Sequence, residues 1–241
     1  MKVSVVIPAH NEEKGIAHTL RAILAQDYPD YEVIVVDNAS SDRTREVAAG
    51  FPVIVVRESR KGLLWARERG RKEAKGDIIA NIDADCVPDT DWLSRGVRHF
   101  TNDRLGTISA ISGPYDYHDA KWFFRNFSLL TQKYIYRTVS IILQLPFIKK
   151  GAVLIGGNNM IRASVLRKTN GYNTSLTFYG EDTDTAVRVA NYGRVIFSPK
   201  LIMKTSARRF HNEGIITLEA KYLYHFFKHI FARKNTDILP R

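Results

Sequence analysis

Short runs of β-branched residues alternate with amphipathic stretches through the first hundred residues. Val3 to Ile7, Val33 to Val36, Val53 to Val56 and Ile78 to Ile82 are nearly unbroken apolar runs of strand length. They lack the in–out alternation of a half-exposed strand, which predicts strands covered on both faces. Between the first two, Ile16, Leu20, Ile23 and Leu24 fall at helical spacing. Asn11 is placed to cap that helix, with Glu12 and Glu13 at the positive end of its dipole. Asp42 to Ala49 reads as a helix stopped by Gly50, Leu63 to Lys75 as one closed by Gly76, and Asp91 to Phe100 as another. Strands alternating with helices predict an α/β fold, a mostly parallel sheet flanked by helices.

The second half is less regular. Thr107 to Ile111, Asn159 to Ile161 and Arg194 to Phe197 read as strands. A short helix to Lys168, a helix from Glu181 to Ala190 and a final helix from Leu218 to Phe231 are expected. Residues 121 to 148 read as one or two helices rich in aromatics. No Pro-, Gly- or Ser-rich linker divides the chain and no internal repeat occurs. The expected organisation is one unit with a first half at 1–112, a second half at 113–212 and an amphipathic C-terminal helix at 213–241.

Charge changes the picture more than size does. In 241 residues, 36 Lys and Arg face 25 acids, for a net charge of +11. That balance favours anionic partners without choosing among nucleotides, nucleic acid and acidic lipid. The basic residues are scattered, and nucleic-acid binding is not expected. Cys86 is the single cysteine, so no intrachain disulfide is available and no oxidising compartment is needed. It reads as a small buried residue, since a zinc site would need more thiols or a tight His cluster. The N-terminus runs straight into a strand with no signal-peptide pattern. The uncharged stretch Thr138 to Ile148 holds Pro146 and falls short of the ~20 residues needed to cross a bilayer. A cytoplasmic protein is expected.

Ligands of open parallel sheets bind beyond the carboxyl ends of the strands. After the first strand come Pro8, Ala9, His10, Asn11 and Glu12; after the second, Asp37 and Asn38; after the fourth, Asp83, Ala84 and Asp85. Acids converging on one edge repel unless a cation or many donors lie between them. Asp83 and Asp85 are two apart, so in extended backbone both carboxylates face one site. Hard oxygen ligands at that spacing suit Mg²⁺ or Mn²⁺. Asp-x-Asp also serves as a turn or capping pair, and it is the position beside Asp37 that favours the cation. No glycine-rich phosphate loop follows any strand.

These residues carry a resemblance. VSVVIPAHNE at 3–12, VIVVDNASSD at 33–42, IDAD at 82–85, GGN at 156–158 and GED at 180–182 together resemble a family 2 glycosyltransferase of the GT-A fold, over about residues 1–200. The resemblance implies a Rossmann-like, mostly parallel sheet with an acceptor-side second half. It implies inverting transfer of one sugar from a nucleotide-diphospho-sugar to an acceptor hydroxyl, with Mg²⁺ or Mn²⁺ as cofactor. It places Pro8, Ala9, Asn11 and Glu12 against base and ribose, and Asp37 on the base. Lys61 and Arg67 fall near the diphosphate, and Asp83 near the ribose or the metal environment. Asp85 is the metal-binding acid, Gly157 and Asn158 line the sugar and acceptor pocket, and Asp182 is the catalytic base with Glu181 beside it. His211 completes the metal shell in many relatives; Arg208 and Arg209 are alternative phosphate ligands. The Gln-x-x-Arg-Trp signature of processive synthases is absent, which argues for single-sugar transfer.

Simpler roles stand beside these. Most of the basic residues from Arg57 to Lys75 must form a solvated helix face. Asp184 has Arg188 four residues on, a surface-pair spacing. The aromatic and basic segment from Lys221 to Lys234 suits a helix in a membrane interface, and equally one docked on the domain. Together with the stretch before Lys149 and Lys150 it could receive a saccharide or a lipid-linked acceptor at the inner face of a membrane. A polyprenyl phosphate as acceptor, or nucleotide-sugar binding without turnover, are the alternatives.

Overall fold

The apolar runs become interior strands because helices cover both of their faces. In the computed structural model, residues 1–148, 151–176 and 179–231 are described, without the side chains of residues 211, 212, 216, 219 and 231. The chain runs β1 (Val3–Ala9), α1 (Ile16–Leu24), β2 (Tyr31–Asn38), α2 (Thr44–Ala49), β3 (Ile54–Glu58), α3 (Leu63–Glu73) and β4 (Ile78–Ile82). Then come β5 (Val87–Pro88), α4 (Trp92–Thr101), β6 (Ile108–Ser112) and β7 (Tyr115–Tyr117). A continuous helical stretch follows as α5 (Trp122–Thr131), a π segment (Gln132–Tyr136) and α6 (Arg137–Leu143). The remainder is β8 (Asn158–Arg162), α7 (Ala163–Lys168), α8 (Glu181–Ala190), β9 (Arg194–Phe197), β10 (Met203–Thr205), α9 (Arg208–Glu213) and α10 (Ile215–Phe231).

Seven strands form one sheet in the order β3-β2-β1-β4-β8-β6-β9, and β5-β10-β7 form a small second sheet. The pairs β1·β2, β1·β4, β2·β3 and β6·β9 are parallel, while β8 runs antiparallel to both β4 and β6. The loops after β1, β2, β3, β4 and β6 therefore open at one edge. The reversal of β8 brings its N-terminal start to that edge too, with Asn158 opposite Ile82.

Alternate residues of β1 feed two cores. Val3, Val5 and Ile7 pack with Ile16, Leu20 and Ile23 of α1 and with Leu93 and Val97 of α4. Val6 packs on the other face with Leu64 and Ala66 of α3 and Ala186 and Val189 of α8. Each fully buried aliphatic side chain contributes about 1.5–3 kcal/mol, so the edge rests on a stiff platform.

The expected strands and helices are present, with shifted ends. The first helix starts at Ile16, not at Asn11. Asn11 takes a left-handed backbone (φ 55°), and its Oδ1 accepts the Ser41 N–H at 2.9 Å. It ties the β1–α1 loop to the β2–α2 loop instead of capping α1. Lys149, Lys150 and the segment 232–241 lie outside the described residues. Among the described residues, no helix is long and apolar enough to cross a membrane.

Candidate active site

Three carboxyls from two distant parts of the chain meet on one arginine. Arg67, one turn into α3, is buried, with Nη1 3.1 Å from Glu181 Oε1 and 3.5 Å from Asp182 Oδ1, and Nη2 3.4 Å from Asp83 Oδ1. The Tyr115 hydroxyl donates to Asp83 Oδ2 at 3.0 Å. The Gly156–Gly157 backbone lies directly against this group. A Cβ on Gly157 would overlap Asp83 Oδ2 and the Tyr115 hydroxyl, and one on Gly156 would overlap Asp182 Oδ1. Glycine is needed at both positions so that β8 can start this close to the acids.

Glu181 and Asp182 open α8 after Gly180, whose left-handed backbone (φ 86°) suits glycine. The two acids are not equivalent. The Glu181 side chain is 6% exposed and that of Asp182 35% exposed. Glu181 Oε2 accepts the Asp182 backbone N–H at 2.6 Å. Burial, then the Asp182 charge, pushes Glu181 well above the usual carboxylate range against the pull of Arg67. Burial also raises Asp182, with Arg67 and a hydrogen bond from Glu181 opposing the rise. Glu181 is thus the more deeply buried acid of the two, and Asp182 the cleft-facing one. Arg67 is itself raised: burial disfavours its charge, and the three carboxylates more than offset that.

Asp85 sits one turn of backbone away with different partners. Thr205 Oγ1 on β10 donates to its Oδ1 at 3.3 Å, and Arg208 Nη2 lies 3.9 Å from its Oδ2. The same guanidinium binds Glu12. Burial, then the neighbouring Asp83 and Glu12, pushes Asp85 up to about 6, with Arg208 pulling it down. Asp37 is buried at the end of β2, opposite Ala9 of β1, and accepts the Ser40 N–H at 3.1 Å. Pro8 and Ala9 close the buried end of β1.

Several residues differ from what the sequence suggests. Arg67 contacts three carboxylates. Asn158 lines no pocket: it is fully buried, donates to the carbonyls of Pro114 (3.1 Å) and Leu201 (2.7 Å), and accepts from Trp92 Nε1 (3.0 Å). It pins the two sheets together. Glu181 lies beneath Asp182 and not in an open acceptor pocket. Glu12 is paired with Arg208. Lys61 is exposed beside Gly62, whose N–H bonds Asn38 Oδ1 at 2.8 Å. His211 is on α9, and its side chain lies outside the described residues. Cys86 is fully buried, 3.7 Å from the Gly157 carbonyl, and Asp184 pairs with Arg188 at 3.6 Å. Sequence reasoning missed Tyr115 and Thr205, which sit in three-residue strands with no local motif.

Six carboxyls (Glu12, Asp37, Asp83, Asp85, Glu181 and Asp182) line this edge with two guanidinium groups among them. Among the described residues, no three His, Cys, Asp or Glu side chains form a ready metal cage. A cation held by one or two carboxylates and completed by phosphate oxygens and water fits the donor set at Asp85.

A model of glycosyl transferase family 2 matches residues 4–169. The chain is 31% identical to a probable glycosyltransferase, YdaM, of Bacillus subtilis over 83% of this chain and 50% of that protein. It is 43% identical to a dolichol-phosphate mannosyltransferase of Pyrococcus furiosus over 48% of this chain and 34% of that one. The chain thus spans half or less of the length of these curated relatives. The solved mannosyltransferase PcManGT from Pyrobaculum calidifontis, in complex with GDP-Man and Mn²⁺, superposes with a TM-score of 0.72 at 26% identity, covering 98% of this chain and 66% of that one.

Proposed function

The chain belongs to glycosyl transferase family 2, and on that premise we propose that it is an inverting, metal-dependent transferase. It moves one sugar from a nucleotide-diphospho-sugar to an acceptor hydroxyl. The observation that carries this is the meeting of Asp83, Glu181 and Asp182 on Arg67, beside Gly156 and Gly157, at the sheet's ligand-binding edge. PcManGT was solved with GDP-Man and Mn²⁺, which supports a nucleotide-sugar donor and a divalent ion here.

Asp182 is the base. Its ionised carboxylate accepts the proton of the acceptor hydroxyl as that oxygen attacks the anomeric carbon. The bond from that carbon to the diphosphate oxygen breaks on the opposite face, so configuration inverts. Arg67 favours the ionised form of Asp182 and orients it, and Glu181 anchors it by accepting its backbone N–H. Asp37 and the Asn11–Ser41 loop contact form the base and ribose end of the cleft. Asp85 is the carboxylate placed to hold Mg²⁺ or Mn²⁺, which when bound offsets the charge of the departing diphosphate.

The dolichol-phosphate mannosyltransferase among the relatives supports a second reading, a polyprenyl phosphate acceptor. That phosphate is already nucleophilic and needs no base. Asp182→Asn separates the two in a transfer assay: a rate loss of about 10²–10⁴-fold marks a hydroxyl acceptor, and a mild loss marks a phosphate. Unchanged transfer to a hydroxyl acceptor would remove Asp182 from the reaction.

A further inference from the structure

Two neighbouring helices turn apolar rows outward. Along α5, the π segment and α6, the residues Phe123, Phe127, Leu130, Tyr134 and Ile141 follow helical spacing, each more than half exposed. Leu223 and Tyr224 of α10 are as exposed. The inner rows of these helices pack together, Phe124 with Phe210 and Leu218 at one end, and Val139 and Leu143 with Phe226 and Ile230 at the other. The two helices therefore lie side by side on the domain, and together they leave an apolar patch that water alone would penalise.

The surroundings of the patch are basic. No Asp or Glu occurs between Lys121 and Ile148. A groove of about 850 Å³ beside α6 is lined by Tyr134, Ile141 and Leu145 and rimmed by Lys133, Arg137 and Lys200. It continues through His99 and Arg194 into a second hollow of about 510 Å³ that adds Arg95, Arg98 and Arg104. Its one acid, Asp103, is tied to Arg162 and to the Ile108 N–H. Aromatics mixed with aliphatics and edged by Lys and Arg match the interfacial region of an anionic bilayer. A second copy of the chain fits less well, because a two-fold contact would set this basic rim against itself.

We propose that the α5–α6 and α10 face docks this protein on an anionic lipid bilayer. The face is closely coupled to the cleft. Gln132, buried in the π segment, accepts the Tyr115 N–H at 2.8 Å and donates to the Tyr115 carbonyl at 3.1 Å, and Tyr115 holds Asp83. On α10, His225 stacks on Tyr179, and the His229 ring lies against Gly180 just before Glu181. The helices under such a membrane are the ones that contact Tyr115 and Gly180, so an acceptor carried by lipid reaches the base from that side. Only this last step rests on the transferase reading; docking stands without it.

The test is vesicle co-sedimentation. The chain is mixed with phosphatidylcholine vesicles, with and without about one third phosphatidylglycerol. Wild-type chain sediments with the anionic vesicles only, and releases as salt rises from about 0.1 M to about 0.5 M. Lys133→Ser/Arg137→Ser weakens binding about twenty-five-fold, since each basic residue near the surface is worth a factor of about five. Phe127→Ser/Tyr134→Ser weakens it at least about tenfold. Both variants keep the wild-type melting temperature and nucleotide binding. Equal binding to neutral vesicles, or variants that bind as wild type, overturns the proposal. So does a dimer in solution that the Phe127→Ser/Tyr134→Ser variant dissolves. Vesicle binding without any nucleotide binding would sink the transferase reading and leave docking in place.

Discussion

Replacing Arg67 with Met tests how the carboxyl cluster is held. The substitution keeps length and removes charge. Arg67 and Glu181 are both buried and 3.1 Å apart, and removing one member of such a pair costs about 3–5 kcal/mol. Asp83 and Asp182 are 37% and 35% exposed, so water screens those contacts and each adds at most about 1 kcal/mol. The expected loss at about pH 8 is therefore about 3–7 kcal/mol, short of the sum of three buried pairs. The pH dependence gives a second check. Without Arg67, burial pushes Glu181 and Asp182 further up. Acids raised in the folded state bind more protons folded than unfolded, so the variant gains stability as pH falls. Urea unfolding at about pH 8 and about pH 5 should show the gap to wild type shrinking with acid. Adding Glu181→Gln to the variant should recover part of the loss. A gap below about 1 kcal/mol, or one independent of pH, would refute the three-acid hub.

Three further outcomes follow from the same contacts. Gly157→Ala forces Asp83 and the Tyr115 hydroxyl aside. It should cost about 1–3 kcal/mol in unfolding experiments, with a larger proportional loss in turnover than Gly106→Ala, where a Cβ meets nothing. Asn158→Ala strands the Leu201 carbonyl and the Trp92 indole N–H, while the Pro114 carbonyl keeps the Met203 N–H, so guanidinium denaturation should show a loss of at least about 2 kcal/mol. Arg60 holds the Glu58 carboxyl down at about 2, against 4.5 ordinarily. Glu58→Gln should therefore cost about 1 kcal/mol at neutral pH, given that Arg60 is solvent-exposed. That difference is complete above the ordinary glutamate value and disappears as pH falls towards about 2.

The β1 to β4 half was legible because its strands are buried on both faces and its helices carry clear periodicity. The acids after those strands were legible from the same logic, since a parallel sheet presents its carboxyl ends together. The hub was not. Arg67 and Glu181 are separated by 114 residues, and nothing local in a basic helix marks the one arginine that turns inward. Asn158 reads as a pocket residue in its motif, yet the antiparallel reversal of β8 buries it between two sheets. The strands β5, β7 and β10 have two or three residues each, too few to show a period. Asn11 failed as a cap because its side chain had a better partner across the loop in Ser41. The composition of α10 suits a membrane interface or a docked helix equally, and only the packing shows which residues of α5, α6 and α10 face outward.

The central claim is that these sheet-edge acids hold a metal–nucleotide pair. Thermal-shift titration of nucleoside diphosphates, with and without Mn²⁺, measures it directly on wild-type chain and Asp85→Asn. At least one diphosphate should raise the wild-type melting temperature in Mn²⁺ by mass action, stabilising by about 2.7 kcal/mol at a hundredfold excess over Kd. Asp85→Asn should lose most of that gain. No shift with any diphosphate in Mn²⁺, or an equal shift in Asp85→Asn, would contradict it.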